Sequence, residues 1–330
     1  MEIKDGVDMH ESYQELRTWR EKVMPGLIPD PEQLNVCHDQ LISRTIRLAE
    51  ERVEMEQGKP PAPFAFYLMG SAGRCEQSIW SDQDHGLIFE GGRVDQDYFL
   101  SLGAEIKRGL AAVGYEECEG DVMSSNPVWC QPKEEMKQQV SGWLQQEDWQ
   151  ALRHMQIFFD SRVLAGGKDM LQPVKNGIFT TLHEQPHLYQ RLVENVKYMK
   201  KGKGVFGQLL PEQKGSRQGS VDLKQTIYFP FVNAARLLAF YKQLYVPSTL
   251  SRYADLEEDF PELRFYKQQF HEFLQFRLHK AGESDGYGGV HYVPVHSLKT
   301  EEKKQLKSWM KYGHQAFEYA RTVLSKEGVL

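Results

Sequence analysis

Tyr67-Leu-Met-Gly-Ser-Ala-Gly-Arg-Cys-Glu-Gln-Ser-Ile-Trp-Ser-Asp-Gln-Asp-His-Gly-Leu-Ile-Phe89 joins two short apolar runs through turn formers and charge. The first run, Phe64 to Met69, is too short and too aromatic for a helix and reads as a buried strand. Gly70-Ser-Ala-Gly73 ends it, and a short helical stretch is expected next. The free backbone N–H groups at the start of such a stretch, with the Ser71 hydroxyl, make a seat for phosphate oxygens. Glycine suits position 70 because a side chain would hold a triphosphate away from the backbone. Asp84 to Phe89 reads as a second strand. Asp82 and Asp84 are two residues apart, so extended backbone puts both carboxylates on one face. Paired carboxylates repel unless a cation neutralises them, and hard oxygen ligands suit Mg²⁺ or Mn²⁺. Two such ions roughly 3.5–4 Å apart activate an attacking hydroxyl and stabilise leaving pyrophosphate. An isolated Asp-x-Asp is ordinarily a solvated turn; strand, Gly-Ser, short helix and Asp-x-Asp in succession form a far more restrictive pattern.

Outward from this stretch the chain reads as two regions. Leu34, Cys37, Leu41, Thr45, Leu48 and Val53 recur at helical steps, and Gly58 ends them. Phe99, Leu102, Ile106, Leu110 and Val113 mark an amphipathic helix capped by Gly114, with Tyr115 to Met123 as a third strand. Beyond Pro132 the pattern turns helical, ending in a helix from about Thr300 to Lys326. Gly282 to Gly289 is a turn-rich loop. The expected division is N-terminal helices over 1–58, an α/β domain with a small mixed sheet over 59–170, and an all-helical domain over 171–330.

Composition narrows the function classes. Net charge is −6 across 330 residues, without the basic footprint of a nucleic-acid binder. No apolar run is long enough to span a bilayer, and Met1 to Asp5 opens no signal peptide. Four scattered cysteines form no C-x-x-C pair, which fits reduced thiols in a cytoplasm. His291, His296 and His314 lack metal-ligand spacing, and His38-Asp39 reads as a surface pair on the first long helix. Tyr228-Phe-Pro-Phe231 reads as core.

Gly70-Ser-x-Gly-Arg-x-Glu76 followed by Ser81-Asp-Gln-Asp84 resembles the nucleotidyltransferase signature of the DNA polymerase β superfamily. Within it, the chain is most similar to signal-transduction nucleotidyltransferases related to the uridylyltransferase of the PII regulatory protein, in a branch of unassigned substrate. Val122 to Trp129, Phe158 to Gly166, Asp222 to Thr226 and Ala234 to Arg236 carry the same resemblance. It implies a nucleotidyltransferase domain followed by a helical domain. It also implies transfer of a nucleoside monophosphate from a triphosphate to a hydroxyl of a small regulatory protein or a small molecule. Paired His-Asp motifs of a phosphohydrolase domain are not found, so removal of the nucleotide is not expected.

The resemblance implies a third acid that binds metal or takes the acceptor's proton. Asp121 lies where the topology places it, whereas Asp160 sits in an acid-x-Arg pattern whose alternative role is a buried salt bridge to Arg162. Arg74, Lys224 and Arg236 are candidate phosphate partners, although Arg74 could instead pair with Glu76. The competing expectation is a non-catalytic nucleotide-binding regulator on the same fold.

Overall fold

The computed structural model describes residues 12–28, 30–284 and 286–330. The reading of Met1 to Asp5 lies outside them. Strand β1 (Phe64–Leu68) pairs antiparallel with β2 (His85–Phe89), Phe64 opposite Phe89 and Leu68 opposite His85. A short β3 (Cys130–Pro132) runs parallel to β2, and β4 (Arg162–Gly166) runs antiparallel to β1. The order β3-β2-β1-β4 makes the small mixed sheet that was expected.

Alternation sends successive side chains to opposite faces of this sheet. Phe66, Leu68, Leu87 and Phe89 pack with α1 (Tyr13–Val23), α2 (Pro31–Gln57) and α4 (Gln96–Val113). Helix α3 is the single turn Gly70–Gly73. Ala65, Tyr67 and Ile88 pack the other way, against α5 (Lys133–Gln146) and α6 (Trp149–Phe159). That second core continues into α7 (Gln172–Glu184), α8 (His187–Val196), α9 (Phe229–Tyr241), α10 (Thr249–Leu256), α11 (Leu263–Gly282) and α12 (Thr300–Lys326). A two-stranded ribbon, β5 (Ser220–Asp222) with β6 (Tyr292–Pro294), crosses the helical region. Helix α9 is buried continuously from Pro230 to Phe240, as a helix apolar on all sides must be. Pro230 stands in its first turn, and a π-helical turn, Lys224–Tyr228, runs directly into it. Among the described residues no helix is long and apolar enough to cross a membrane.

Two expectations need correction. Tyr115 to Met123 is not a continuous strand: Asp121 takes φ +52° and its N–H closes a turn onto the Cys118 carbonyl. The edge of β2 is instead covered in three steps, Gln83 N–H to Glu116 O, His85 N–H to Val122 O and Leu87 N–H to Trp129 O. His38 and Asp39 are also not a surface pair. His38 is fully buried, its Nε2 donating to the Ser78 carbonyl (3.0 Å) and its Nδ1 accepting from the Tyr115 hydroxyl (2.7 Å). Asp39 receives a bidentate bond from Arg162, at 2.8 and 2.6 Å, which joins α2 to β4.

Asp160, the cap residue of α6, has no exposed surface. Its Oδ1 accepts from Arg236 Nε (3.1 Å) and Arg252 Nη1 (2.7 Å). Its Oδ2 accepts from Arg74 Nη1 (2.7 Å) and Arg236 Nη2 (2.6 Å). Burial by itself would raise this carboxyl's pKa, yet the charges of Arg236, Arg252 and Arg74 outweigh it and hold the group ionised well below the usual range. Arg74 also bonds Glu76 Oε2 (2.9 Å) and the Tyr228 hydroxyl (2.8 Å). The cluster thereby ties α3, α6, α9 and α10 together. Gly73 permits it, since a Cβ there would lie 2.2 Å from the Asp160 carbonyl oxygen.

Asp160→Asn leaves three buried guanidinium groups short of an anion and is expected to cost about 3–5 kcal/mol, read by urea unfolding followed through tryptophan fluorescence. An unchanged midpoint would show that the cluster does not anchor the helices. His38 is held neutral, burial lowering its pKa to about 3 against an unfolded value near 6.5. The unfolded chain therefore binds the extra proton below that value, and stability falls with decreasing pH. The expected loss from this residue is roughly 2 kcal/mol between pH 7 and pH 5, and His38→Gln removes that part of the acid slope.

Candidate metal and nucleotide site

The end of the β1–β2 pair places the site. Met69 N–H donates to the Asp84 carbonyl (2.8 Å), so the chain leaving β1 at Gly70 lies beside the aspartates that open β2. Gly70 has φ +55°, and a Cβ there would come within 1.9 Å of Asp84 Oδ2. Glycine is required at this position by both the backbone angle and the carboxylate packed on it. Gln83 points to the opposite face, its Nε2 donating to the carbonyls of Lys107 (3.3 Å) and Tyr115 (3.2 Å). Its Oε1 accepts from His85 Nε2 at 3.1 Å, while His85 Nδ1 accepts from Ser124 N–H at 3.2 Å. The residue between the two aspartates thus locks the segment that carries them.

Asp82, Asp84 and Cys118 offer ligand atoms all within 4.8 Å of one another. Burial, then the Asp82 charge, pushes the Asp84 carboxyl up to about 7, against the opposing influence of Cys118, Lys224 and Arg74. Burial and the Asp84 charge push the Cys118 thiol up to about 12. Two oxygen donors and one sulfur, crowded at a cost in repulsion, form a donor set that suits a divalent cation. Cys118 had no sequence signal beyond being one of four scattered cysteines. It reaches the site because Glu116 bridges to Asp82 and the chain turns between Cys118 and Asp121.

Tyr287 was likewise not singled out by its sequence. It lies in a 3₁₀ turn, Tyr287–Gly289, within the turn-rich loop, and its hydroxyl donates to Asp82 Oδ2 at 2.7 Å. Burial and the Asp82 charge raise its pKa far above the ordinary phenol value.

The remaining candidates separate by location. Gly70 adjoins the Asp84 carboxylate, and Ser71 follows it on α3. Lys224 is half-buried at the start of the π-helical turn, near enough to lower the Asp84 pKa, and makes no ion pair among the described residues. Arg74 and Arg236 face Asp160 instead, with Arg74 also bonded to Glu76. Asp160 is in the arginine cluster, and its partners do not include Arg162. Asp121 is exposed and accepts from Asn126 Nδ2 at 2.9 Å. Neither Asp121 nor Asp160 belongs to the Asp82–Asp84–Cys118 group. A cavity of about 330 Å³ opens elsewhere, between α2, Cys75 to Ser78 and the helices α10 and α11.

Residues 32–150 match the family described as "Putative nucleotidyltransferase DUF294". Residues 186–323 match its companion, described as "Putative nucleotidyltransferase substrate binding domain". A search of curated proteins finds no match. With the paired aspartates at the end of β1–β2 and the helical region behind them, the chain belongs to the DUF294 nucleotidyltransferase family.

Proposed function

We propose that the protein transfers a nucleoside monophosphate from a nucleoside triphosphate to a hydroxyl acceptor, using Mg²⁺ or Mn²⁺ at Asp82 and Asp84. The convergence of these carboxylates with Cys118, beside the Gly70 turn, carries this reading. The bound cation would supply charge neutralisation for the triphosphate and for departing pyrophosphate. Asp82 and Asp84 would hold it through their oxygens, with the Cys118 thiol beside them, and the fixed spacing would lower the cost of organising the site during reaction. Gly70 lets the Asp84 carboxylate pack directly on the backbone, and Ser71 beside it would meet a phosphate oxygen. Lys224 approaches from the helical region and neutralises phosphate charge.

Roles for Asp121, Asp160, Arg74 and Arg236 follow their surroundings. Asp160 positions Arg74 and Arg236 and, through them, the α3 turn. Asp121 orders the turn after Cys118 through Asn126. The acceptor class includes a tyrosine of a small regulatory protein, as the resemblance to the PII uridylyltransferase implies, or a small-molecule hydroxyl. A reducing cytoplasm suits the four free cysteines. Nucleotide binding without turnover is the second reading, favoured by the Tyr287 hydroxyl lying on Asp82.

Asp82→Asn and Asp84→Asn are each expected to lower metal-dependent pyrophosphate release by at least about 10³-fold. Folded Asp84 titrates near 7 against 3.8 as a free side chain, so its charge destabilises the metal-free fold as pH rises through that window. Asp84→Asn should therefore raise the melting temperature without metal at pH 8 while abolishing the stabilisation that Mn²⁺ gives the wild type. Full activity in either variant would refute the metal assignment. Lys224→Ala is expected to raise the triphosphate KM about tenfold with little change in melting temperature. Calorimetry showing tight triphosphate binding with no pyrophosphate released across the acceptors would favour the second reading.

A further inference from the structure

Tyr287 is a hydroxyl that the chain itself delivers to a candidate catalytic carboxylate. Its Oη lies 2.7 Å from Asp82 Oδ2, and the turn that carries it is tied down on both sides. Before it, Trp80 Nε1 donates to the Ser284 carbonyl at 2.9 Å and Ser284 Oγ donates to the Gly286 carbonyl at 3.1 Å. After it, Val290 is buried in the core, and the His291 carbonyl accepts from Leu223 N–H at 2.8 Å, next to Lys224. The Tyr287 ring meets the His291 ring edge to face at 5.6 Å. Among the described residues, Tyr287 is the one hydroxyl bonded to either aspartate side chain, and Asp84 is met by the Cys118 thiol.

Building on the nucleotidyl-transfer reading, we propose that Tyr287 is an acceptor of that reaction and that the protein nucleotidylates itself there. The phenolic oxygen attacks the α-phosphorus of the bound triphosphate, and an O–P bond forms. The bond from the α-phosphorus to the oxygen bridging to the β-phosphorus breaks, and pyrophosphate leaves with that electron pair. The phenolic proton passes to Asp82 and from there to solvent. The product is a tyrosyl phosphodiester of the nucleoside monophosphate, and no oxidant or further reactant is needed. A hydroxyl already held at the site reacts without the cost of bringing in a second molecule. Once modified, Tyr287 has no free hydroxyl left to attack a second triphosphate, so the chain is labelled once.

The test uses the full-length protein with Mn²⁺ and each of the four common ribonucleoside triphosphates, followed by intact mass and peptide sequencing. The expected result is a gain of one nucleoside monophosphate, located on Tyr287. Its fractional rate should stay constant over roughly tenfold dilution, as an intramolecular step requires. Tyr287→Phe and Asp82→Asn should both lose the label. A readout without turnover is luminescence of Tb³⁺ bound in the absence of nucleotide: Tyr287→Phe should reduce its ultraviolet-sensitised emission, whereas equal emission would remove Tyr287 from the metal site. Label on another residue overturns the inference. So does pyrophosphate release to an added hydroxyl acceptor with Tyr287 unmodified, and that result leaves nucleotidyl transfer standing. Faster release in Tyr287→Phe with an unlabelled wild type marks the tyrosine as a plug and also overturns it. A protein that neither binds nor consumes any triphosphate would overturn both readings together.

Discussion

Removing Asp160 from water carries a desolvation cost that only close ion pairing can offset, and three guanidinium groups converge on its two oxygens. Each arginine comes from a different place: Arg74 follows the α3 turn, Arg236 lies on the buried helix α9 and Arg252 lies on α10. Because bidentate and in-plane bonds are geometrically demanding, the cluster fixes relative positions that apolar packing alone would leave adjustable. The α3 turn, and so the backbone beside Asp84, is set from below by this arrangement. A surface ion pair could not do this, since solvent competes for both partners and each contributes little.

Against that rigid support the aspartate pair is strained by its own charge. Asp84 is buried, close to Asp82, and packed directly on Gly70. A chain selected only for stability would place an amide at one of these positions. The repulsion is tolerated because the surrounding structure holds the segment: Gln83 and His85 bond inward, and the carbonyls of Glu116, Val122 and Trp129 hold the edge. Stability supplied elsewhere in the fold thus offsets a local penalty that a cation would relieve.

Much of this was legible in the residues. Short apolar runs identified β1 and β2, and period-3.6 patterns identified α2, α4 and α12, because each of these helices buries one well-defined face. The turn at Gly70 and the paired aspartates also followed from local chemistry. What escaped depends on contacts distant in sequence. Cys118 enters the site because Glu116 bridges to Asp82 and the chain turns back at Asp121, whose positive φ nothing local marks. Tyr287 arrives from the far end of the chain. Arg162 resembled the natural partner of Asp160 at two residues' remove. Asp160 caps α6, however, whereas Arg162 opens β4, and its guanidinium crosses to Asp39 on α2. His38 looked exposed because a histidine beside an aspartate on a helix usually is. Its burial rests on Tyr115 and Ser78, which sequence proximity does not connect to it.

The core that covers the Tyr67 face of the sheet bears on how this molecule can be taken apart. Phe158 meets Tyr67 at 5.9 Å, and Phe159 lies against Phe240 at 4.1 Å, so α6 roofs the sheet and is itself covered by α9 from the last third of the chain. A fragment ending after β4 would uncover Phe159 and leave Asp160 with Arg74 alone of its three arginines, and it should aggregate rather than behave as a minimal enzyme. The two portions, made as separate polypeptides, should instead find one another, since each carries half of an interior neither can close alone. Dissection by fragment complementation suits this architecture better than dissection by truncation.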